Sequence, residues 1–146
     1  MPLINNIINE KFDGQIVHNM ISSQEKRNWF VKELATLVKA GGYHGINIDF
    51  ENLDSRDKSA YTEFIKELCN SFHSSGYYVS VDLPSDSSAT YDYKVISDYC
   101  DFFIIMLYDE HYSAGTPGPI ASQKWFESQL NSVIPYIPKE KMAAGL

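Results

Sequence analysis

The sequence has few basic residues to balance its acidic ones. It contains 12 Lys and Arg against 19 Asp and Glu, so its formal net charge is −7. Binding to nucleic acid or to anionic lipid depends on Lys and Arg side chains that neutralise phosphate, and this sequence has no basic run. The composition therefore argues against both ligands and favours a neutral or weakly charged one.

Cysteine and long apolar stretches are also scarce. The two cysteines, Cys69 and Cys100, lack the spacing of a metal site or a redox motif, and we interpret them as packing residues. No apolar run is long enough to span a bilayer. The start of the sequence, MPLINNIINEKFDG, has neither the basic region nor the apolar core of a signal peptide.

The rest of the composition is that of a globular domain. The 146 residues are 44% hydrophobic and 21% charged, which suits one domain with a sizeable core. Aromatic residues make up 14% of the sequence. Their faces can stack on sugar rings, but on numbers alone a role in the core is favoured.

Two helices have clear boundary signals. Ser22, followed three residues later by Glu25, resembles a capping box and predicts the start of a helix that Gly41 and Gly42 end. A second amphipathic helix is predicted over residues 56–75 and closed by a glycine. Its apolar face consists of Tyr61, Phe64, Ile65, Leu68, Cys69 and Phe72.

Apolar strands alternate with the helices. They are predicted to start near residues 45, 77, 101 and 141, after a short strand in PLINNI, and a polar loop, SDSSATYDY, follows the strand near residue 77. This βα repetition implies a parallel sheet covered by helices. A five-stranded doubly wound sheet fits the length. A (β/α)₈ barrel normally needs about 250 residues, so the chain could supply only about five of its eight units.

The stretch GINIDFENL alternates in polarity. One face of this predicted strand is apolar and the other polar: Ile46, Ile48 and Phe50 against Asn47, Asp49 and Glu51. Side chains two apart on one face have roots roughly 6–7 Å apart, so the carboxyl groups of Asp49 and Glu51 can approach each other. Two close, partly desolvated carboxylates resist joint ionisation, so one keeps a proton towards neutral pH and can serve as a general acid. The alternative is a merely polar strand end, with Asp54 capping the next helix.

The segment HGINIDFEN resembles the fourth-strand signature of glycoside hydrolase family 18, the chitinase-like barrels, which reads D-x-x-D-x-D-x-E. The last two acidic positions fall on Asp49 and Glu51. The sequence departs from the signature at Asn47 and at His44, where the family has aspartates. The asparagine at position 47 of the motif resembles the sequences of the branch of the family that acts on bacterial wall or surface sugars.

A second segment, IIMLYDEHY, resembles the sixth-strand M-x-Y-D motif of the same family and matches Met106, Tyr108 and Asp109. Two βα units fit between the motifs. The stretch YDEHYSAGTPGPIASQKWF looks like a subgroup fused to polysaccharide deacetylase and glycosyltransferase modules. The resemblance covers nearly the whole chain. It implies an α/β fold, a partial (β/α)₈ TIM barrel of about strands 3–7 with parallel strands and outer helices.

The resemblance also implies a reaction, the retaining, substrate-assisted hydrolysis of β-glycosidic bonds in polysaccharides that contain N-acetylglucosamine. Glu51 would protonate the leaving oxygen and Asp49 would orient the 2-acetamido group of the substrate, which is the nucleophile. Tyr108 would bind the acetamido oxygen, while Asn47, Met106 and Asp109 would contact the substrate. No metal or organic cofactor is expected.

Residues 1–146 are interpreted as a fragment of a single catalytic barrel. The first and eighth strands are missing, and neither Trp29 nor Trp125 fits the floor tryptophan that the family carries on the eighth strand. Both lie in helical patterns and are predicted to be packing residues. We expect exposed sheet edges that pair with the remaining barrel strands or with a second copy, weak or no activity in isolation, and an extracytoplasmic or cell-surface parent protein.

Three other interpretations remain open. A carbohydrate-binding barrel without activity would keep the fold but usually lacks the acid, which Glu51 provides here. A metal hydrolase could use His44, Asp49, Glu51, Asp109 and His111, although no H-x-H or H-E-x-x-H spacing supports it. A flavodoxin-like domain would need a phosphate loop that NNIINEKFDG does not resemble.

Overall fold

Strands and helices alternate along the chain in the computed structural model, which describes residues 1–86 and 88–146. The strands are β1 Leu3–Asn5, β2 Ile7–Ile8, β3 Lys11–Phe12, β4 Gly45–Asp49, β5 Tyr78–Pro84, β6 Phe102–Met106 and β7 Met142–Gly145. The α-helices are α1 Gly14–Ile21, α2 Gln24–Ala40, α3 Lys58–His73, α4 Tyr93–Ser97 and α5 Gln123–Val133. Two 3₁₀ turns cover Ser55–Asp57 and Lys139–Lys141.

The order of the strands decides between the two predicted architectures. Five strands form one sheet in the order β1-β4-β5-β6-β7, and each neighbouring pair is parallel. A doubly wound sheet reverses direction at a switch point, whereas a barrel adds each new strand on the same side of the last. The sequential order is that of a barrel segment, so the partial barrel is confirmed and the doubly wound sheet is wrong.

The outer face of the sheet is the main apolar core. The face that alternation predicted for β4 is buried, with Ile46, Ile48 and Phe50 each at most 1% exposed. The predicted apolar face of α3 is also confirmed, because all six of its members are fully buried. Phe50 stacks at 6.0 Å from Phe64 of α3, and such aromatic pairs stabilise a core beyond the area they bury.

The two cysteines lie within this core, as predicted. Cys69 and Cys100 are both fully buried, and their Sγ atoms lie 3.6 Å apart as free thiols. Burial raises the pKa of the Cys100 thiol, which keeps it neutral. Both side chains therefore act as small apolar groups.

Several boundaries differ from the sequence-based predictions. The helix cap expected at Ser22 lies one residue later, at Ser23, whose side chain accepts a hydrogen bond from the backbone N–H of Lys26, and α2 begins at Gln24. Residues 55–57 form a separate 3₁₀ turn capped by Asp54 before α3 starts. Strand β6 starts at Phe102, close to the predicted residue 101, and ends at Met106, so Tyr108 and Asp109 lie beyond it. The predicted end of α2 at Gly41 is confirmed, whereas α3 ends at His73, two residues before the predicted end.

Helix α1 was not predicted. It is only eight residues long, begins at a glycine and buries just Val17 and Ile21, so its periodicity is too short to stand out. The sequence feature that indicates its start is Asp13, whose side chain caps the helix by accepting a hydrogen bond from the N–H of Gln15.

The prediction that Trp29 is a packing residue is wrong, because its side chain on α2 is 61% exposed. Ser87, inside the predicted polar loop, lies outside the described residues. Among the described residues, no helix has the length and apolar character to cross a membrane.

Candidate active site

The carboxyl ends of β4, β5 and β6 meet at one edge of the sheet, and the predicted site residues gather there. A pocket of about 220 Å³ opens at this edge. It is lined by Glu51, Pro84, Ser85, Asp86, Met106, Tyr108, Asp109, Trp125 and Gln129. Four of the six predicted site residues are therefore pocket walls, while Asn47 and Asp49 lie in β4.

Asn47 is held within the sheet. Its side-chain amide donates a hydrogen bond of 2.9 Å to Oδ1 of Asp82 on β5, and its Oδ1 accepts one from the hydroxyl of Ser80. Because both ends of the amide are engaged and the residue is buried, Asn47 does not reach the pocket. Its contribution is to hold Asp82.

Asp82 was not predicted as a site residue, although it pairs with Asn47 and its charge acts on Asp49 and Glu51. It lies on the same face of β5 as Ser80, and burial raises the pKa of its carboxyl group against the opposing effect of the Asn47 hydrogen bond. The signal was available, because YVSVDLP alternates polar and apolar residues as GINID does.

Asp49 carries an acceptor atom that nothing in the described residues satisfies. Its Oδ1 is buried and has no hydrogen-bond partner. Burial, followed by the charge of Asp82, raises the pKa of Asp49 from 3.8 to about 6. A buried acceptor without a donor raises the free energy of the folded state, so this oxygen needs a donor that the described residues do not supply.

Glu51 has the properties of a general acid near neutral pH. Its pKa is raised from 4.5 to about 7, first by burial and then by the charges of Asp49, Asp109 and Asp82. It also borders a second hollow of about 220 Å³, on the side of Thr90 and Tyr91. Glu51 thus borders two pockets, and a carboxyl group with a pKa near 7 can exchange a proton with a ligand that occupies both of them.

Three hydrogen bonds hold the backbone at Phe50 and Glu51. The side-chain amide of Asn6 donates to the Glu51 carbonyl oxygen at 2.8 Å and accepts from the Glu51 N–H at 3.0 Å. The Tyr91 hydroxyl donates to the carbonyl oxygen of Phe50 at 2.6 Å. Asn52 follows with a positive φ of 55°, which turns the chain away from the strand direction.

Neither Asn6 nor Tyr91 was predicted as a site residue. Asn6 is 3% exposed although it is polar, and it follows a strand of only three residues. Its partner is 45 positions away in the sequence. Nothing in a short N-terminal segment indicates such a partner, because the pairing depends on β1 lying beside β4.

Tyr108 and Asp109 complete the pocket after β6. Burial, with the nearby charges of Glu51 and Asp49, raises the pKa of the Tyr108 phenol, so the group remains a hydrogen-bond donor at neutral pH. Asp109 has a φ of 67°, a left-handed conformation that ends the strand direction. Met106, Tyr108 and Asp109, which match the second motif, all line this pocket together with Glu51.

Larger hollows lie elsewhere on the surface. One of about 360 Å³ is lined by Lys58, Tyr93 and Tyr136 among others, and it has no pair of coupled carboxyl groups. In residues 1–86 and 88–146, no group of three or more His, Cys, Asp or Glu side chains is arranged to hold a metal ion.

Known proteins with a similar sequence or structure include a glycosylase, a cortical fragment-lytic enzyme and a chitinase. A relative from Bacillus subtilis, the uncharacterized glycosylase YvbX, is 34% identical over 143 residues, which are 92% of this chain and 42% of the relative. The cortical fragment-lytic enzyme of Bacillus subtilis is 25% identical over 153 residues, covering 99% of this chain and 36% of the relative. The crystal structure of a class V chitinase from Pseudomonas fluorescens Pf-5 matches with a TM-score of 0.91 and 31% identity, covering 99% of this chain and 48% of that one.

The chain thus spans less than half the length of these relatives. Within that span, the family model for glycosyl hydrolases family 18 matches residues 11–144. This range contains Asp49, Glu51, Tyr108 and Asp109. Because the match covers nearly the whole chain, the protein belongs to glycosyl hydrolases family 18.

Proposed function

We propose that residues 1–146 form the catalytic part of a single glycosidase barrel, and that the complete barrel hydrolyses β-glycosidic bonds next to N-acetylglucosamine with retention of configuration. Family membership supports the glycosidase class. The observation that carries the mechanism is the pairing of Glu51, with a pKa of about 7, with Asp49, whose Oδ1 is buried without a donor.

The acetamido group of the substrate fits the missing partner of Asp49. An N-acetylated sugar carries one amide N–H, which can donate to this Oδ1 once the Asp49 side chain rotates and brings the oxygen to the pocket. That hydrogen bond would turn the acetamido carbonyl oxygen towards the anomeric carbon. A negatively charged Asp49 would also stabilise the positive charge that develops as this oxygen attacks.

The reaction then takes two steps. In the first, the acetamido oxygen forms a bond to the anomeric carbon, the bond to the leaving oxygen breaks, and Glu51 gives its proton to that oxygen. In the second, Glu51 takes a proton from a water molecule that attacks the anomeric carbon of the oxazolinium ion and restores the acetamido group. Two inversions at one carbon retain its configuration. The nucleophile comes from the substrate, so the usual separation of two carboxylates does not apply.

The other pocket residues would hold the sugar. The Tyr108 phenol, which stays protonated at neutral pH, would donate to the acetamido oxygen. Asp109 would contact a sugar hydroxyl, and Met106 would pack against the ring. Asn47 would act indirectly by holding Asp82.

The substrate class follows from this chemistry and from the relatives. A class V chitinase and a cortical fragment-lytic enzyme are among the similar proteins, and their names point to chitin and to bacterial cortex material. An acidic chain suits such neutral or weakly charged polymers better than nucleic acid. We therefore infer a polysaccharide or oligosaccharide substrate that contains N-acetylglucosamine.

The open sheet supports the proposal that further strands complete the barrel. Strands β1 and β7 are its edges and pair on one side only. On β7, Ala143 and Ala144 point to opposite faces and both are exposed, although residues of a closed barrel strand are covered on both sides. The remaining strands of the parent protein, or a second copy of the chain, would cover these edges.

Hydrolysis of defined N-acetylated chito-oligosaccharides by a longer protein that supplies the missing strands tests this function. We expect turnover there, weak or no turnover by residues 1–146 alone, and loss of turnover in Glu51→Gln with oligosaccharide binding largely kept. The exposed Glu33→Gln on α2 is the matched control and should leave turnover unchanged. Normal turnover by Glu51→Gln would overturn the assignment. Binding without turnover in the unmodified longer protein would favour a carbohydrate-binding barrel instead.

A further inference from the structure

Trp125 lies in the wall of the pocket that contains Glu51. It belongs to the first turn of α5 and is partly exposed, and it shares the pocket with Tyr108 and Asp109. Its helical pattern predicted a packing residue, but the side chain borders the pocket. A large aromatic ring that faces a polar hollow has a surface still available to a ligand.

The backbone of Trp125 is anchored by the loop after β6. Ser122 caps α5 by accepting a hydrogen bond from the N–H of Trp125 at 3.4 Å. The carboxylate of Glu110 in turn accepts from the N–H and the hydroxyl of Ser122, and these bonds lower the pKa of Glu110. The start of α5 is thus tied to the residue that follows Asp109.

Gln129 lies one turn further along α5 and in the same pocket wall. Residues four apart on a helix share a face, so Gln129 and Trp125 are neighbours. The Ser85 hydroxyl donates to Oε1 of Gln129 at 2.6 Å, which orients the amide. Within the described residues its nitrogen makes no hydrogen bond, so two N–H donors remain for a ligand.

We propose that Trp125 and Gln129 form a subsite for a pyranose ring of the bound glycan, next to the sugar that Asp49 and Glu51 act on. The inference rests on the proposed function and deepens it. The axial C–H groups of the ring would stack on the indole, and a ring hydroxyl would accept from the Gln129 amide. Both groups act on neutral sugars and need no charge on the ligand.

The sequence contains only two tryptophans, which allows a direct test. Trp29 is 61% exposed on α2 and is not among the pocket walls, so Trp29→Phe leaves Trp125 as the only indole. The Trp29→Phe chain is titrated with tri-N-acetylchitotriose while tryptophan emission is recorded. We expect a saturable change in emission, and an affinity by calorimetry equal to that of the unmodified chain.

Two variants measure the contributions by calorimetry with the same trisaccharide. Trp125→Ala should weaken binding about 10-fold, as expected for the loss of one aromatic contact. Gln129→Ala should weaken it about 3–5-fold for one neutral hydrogen bond. Gln123→Ala, an exposed glutamine on the same helix that bonds to Glu127, is the control and should bind normally.

The outcomes separate the subsite from the proposed function. Trisaccharide binding with unchanged Trp125 emission, and with normal affinity in both variants, overturns the subsite. No binding by the Trp29→Phe chain also overturns it. Neither result bears on the proposed function, which depends on turnover by the longer protein and on the loss of that turnover in Glu51→Gln.

Discussion

The side-chain amide of Asn6 pairs with the backbone of Glu51 through two hydrogen bonds of 2.8 and 3.0 Å. One links the amide nitrogen to the Glu51 carbonyl oxygen, and the other links the Glu51 N–H to the amide oxygen. Since Glu51 lies beyond the end of β4, no strand pairing holds it. Asn6 replaces that pairing and sets where the carboxyl group stands.

Replacing Asn6 by Ala should therefore lower both the stability of the fold and the rate of the step in which Glu51 acts as the acid. It leaves the N–H and C=O of Glu51 without these partners, which should lower the free energy of unfolding by about 1–3 kcal/mol. Turnover in the longer protein should fall through kcat more than through KM, because the acid is misplaced in the transition state. Urea unfolding and steady-state kinetics measure the two effects.

The neighbouring Asn5→Ala is the control for that experiment, because Asn5 is exposed and its side chain makes only a local 3.4 Å bond to Ile7. Equal effects of the two substitutions would contradict the role of Asn6. An Asn6→Gln variant that regains kcat without regaining stability would support positioning over general support.

Gly14→Ala should also displace the backbone next to Glu51, because Gly14 packs against Asn52. A Cβ on Gly14 would lie 2.0 Å from the carbonyl oxygen of Asn52, so the backbone after Glu51 has to move. We expect a loss of about 1–3 kcal/mol in the free energy of unfolding, as for overpacked sites. Gly115→Ala, where the nearest atom would be an ordinary 3.4 Å away, should have little effect. A well-tolerated Gly14→Ala would show that this close approach is relaxed in solution.

The raised pKa of Glu51 should make stability fall as pH rises. Between about pH 4.5, its ordinary value, and about pH 7, its value in the folded chain, the folded state binds more protons than the unfolded state. Glu51→Gln should therefore be more stable than the parent chain at pH 8, by about 1 kcal/mol after solvent screening of a half-exposed group, and nearly equal to it at pH 4.5. Urea unfolding at both pH values measures this difference. The exposed Glu33→Gln should show none, and the same absence in Glu51→Gln would mean that its pKa is ordinary.

Asp82→Asn should lower the pKa of Asp49 from its value of about 6. The charge of Asp82 is the second cause of that raised value, after burial, and the asparagine removes it while an amide can still pair with Asn47. Carbon-13 NMR titration of the labelled carboxyl groups measures the shift directly. In the longer protein, the acidic limb of the pH–rate profile should move to lower pH. Asp98→Asn, exposed at the end of α4, should move neither.

Much of the fold could be predicted because its signals are local. Alternating polarity identified β4, and the spacing of six apolar residues identified the buried face of α3. The start of α2 was wrong by one residue, since Ser22 and Ser23 are equally good caps and only the backbone conformation selects Ser23. Helix α1 was missed because two buried residues are too few to form a pattern.

The candidate site was predicted in part. Asp49, Glu51, Tyr108 and Asp109 follow from two short motifs. Asp82 could have been found from the alternation in β5, but it was overlooked. Trp125 could not be assigned to the pocket, because its helical pattern is the same whether the ring faces the core or a hollow.

The sequence by itself determined which side chains share a face of each strand and helix, because that depends only on the geometry of a few consecutive residues. Only the tertiary structure decided that the strands follow one another in sequential order and that Asn6 reaches Glu51. It also decided that one oxygen of Asp49 is left without a donor. Those features depend on segments far apart in the sequence, and their energies come from burial and hydrogen bonding that exist only once the sheet has formed.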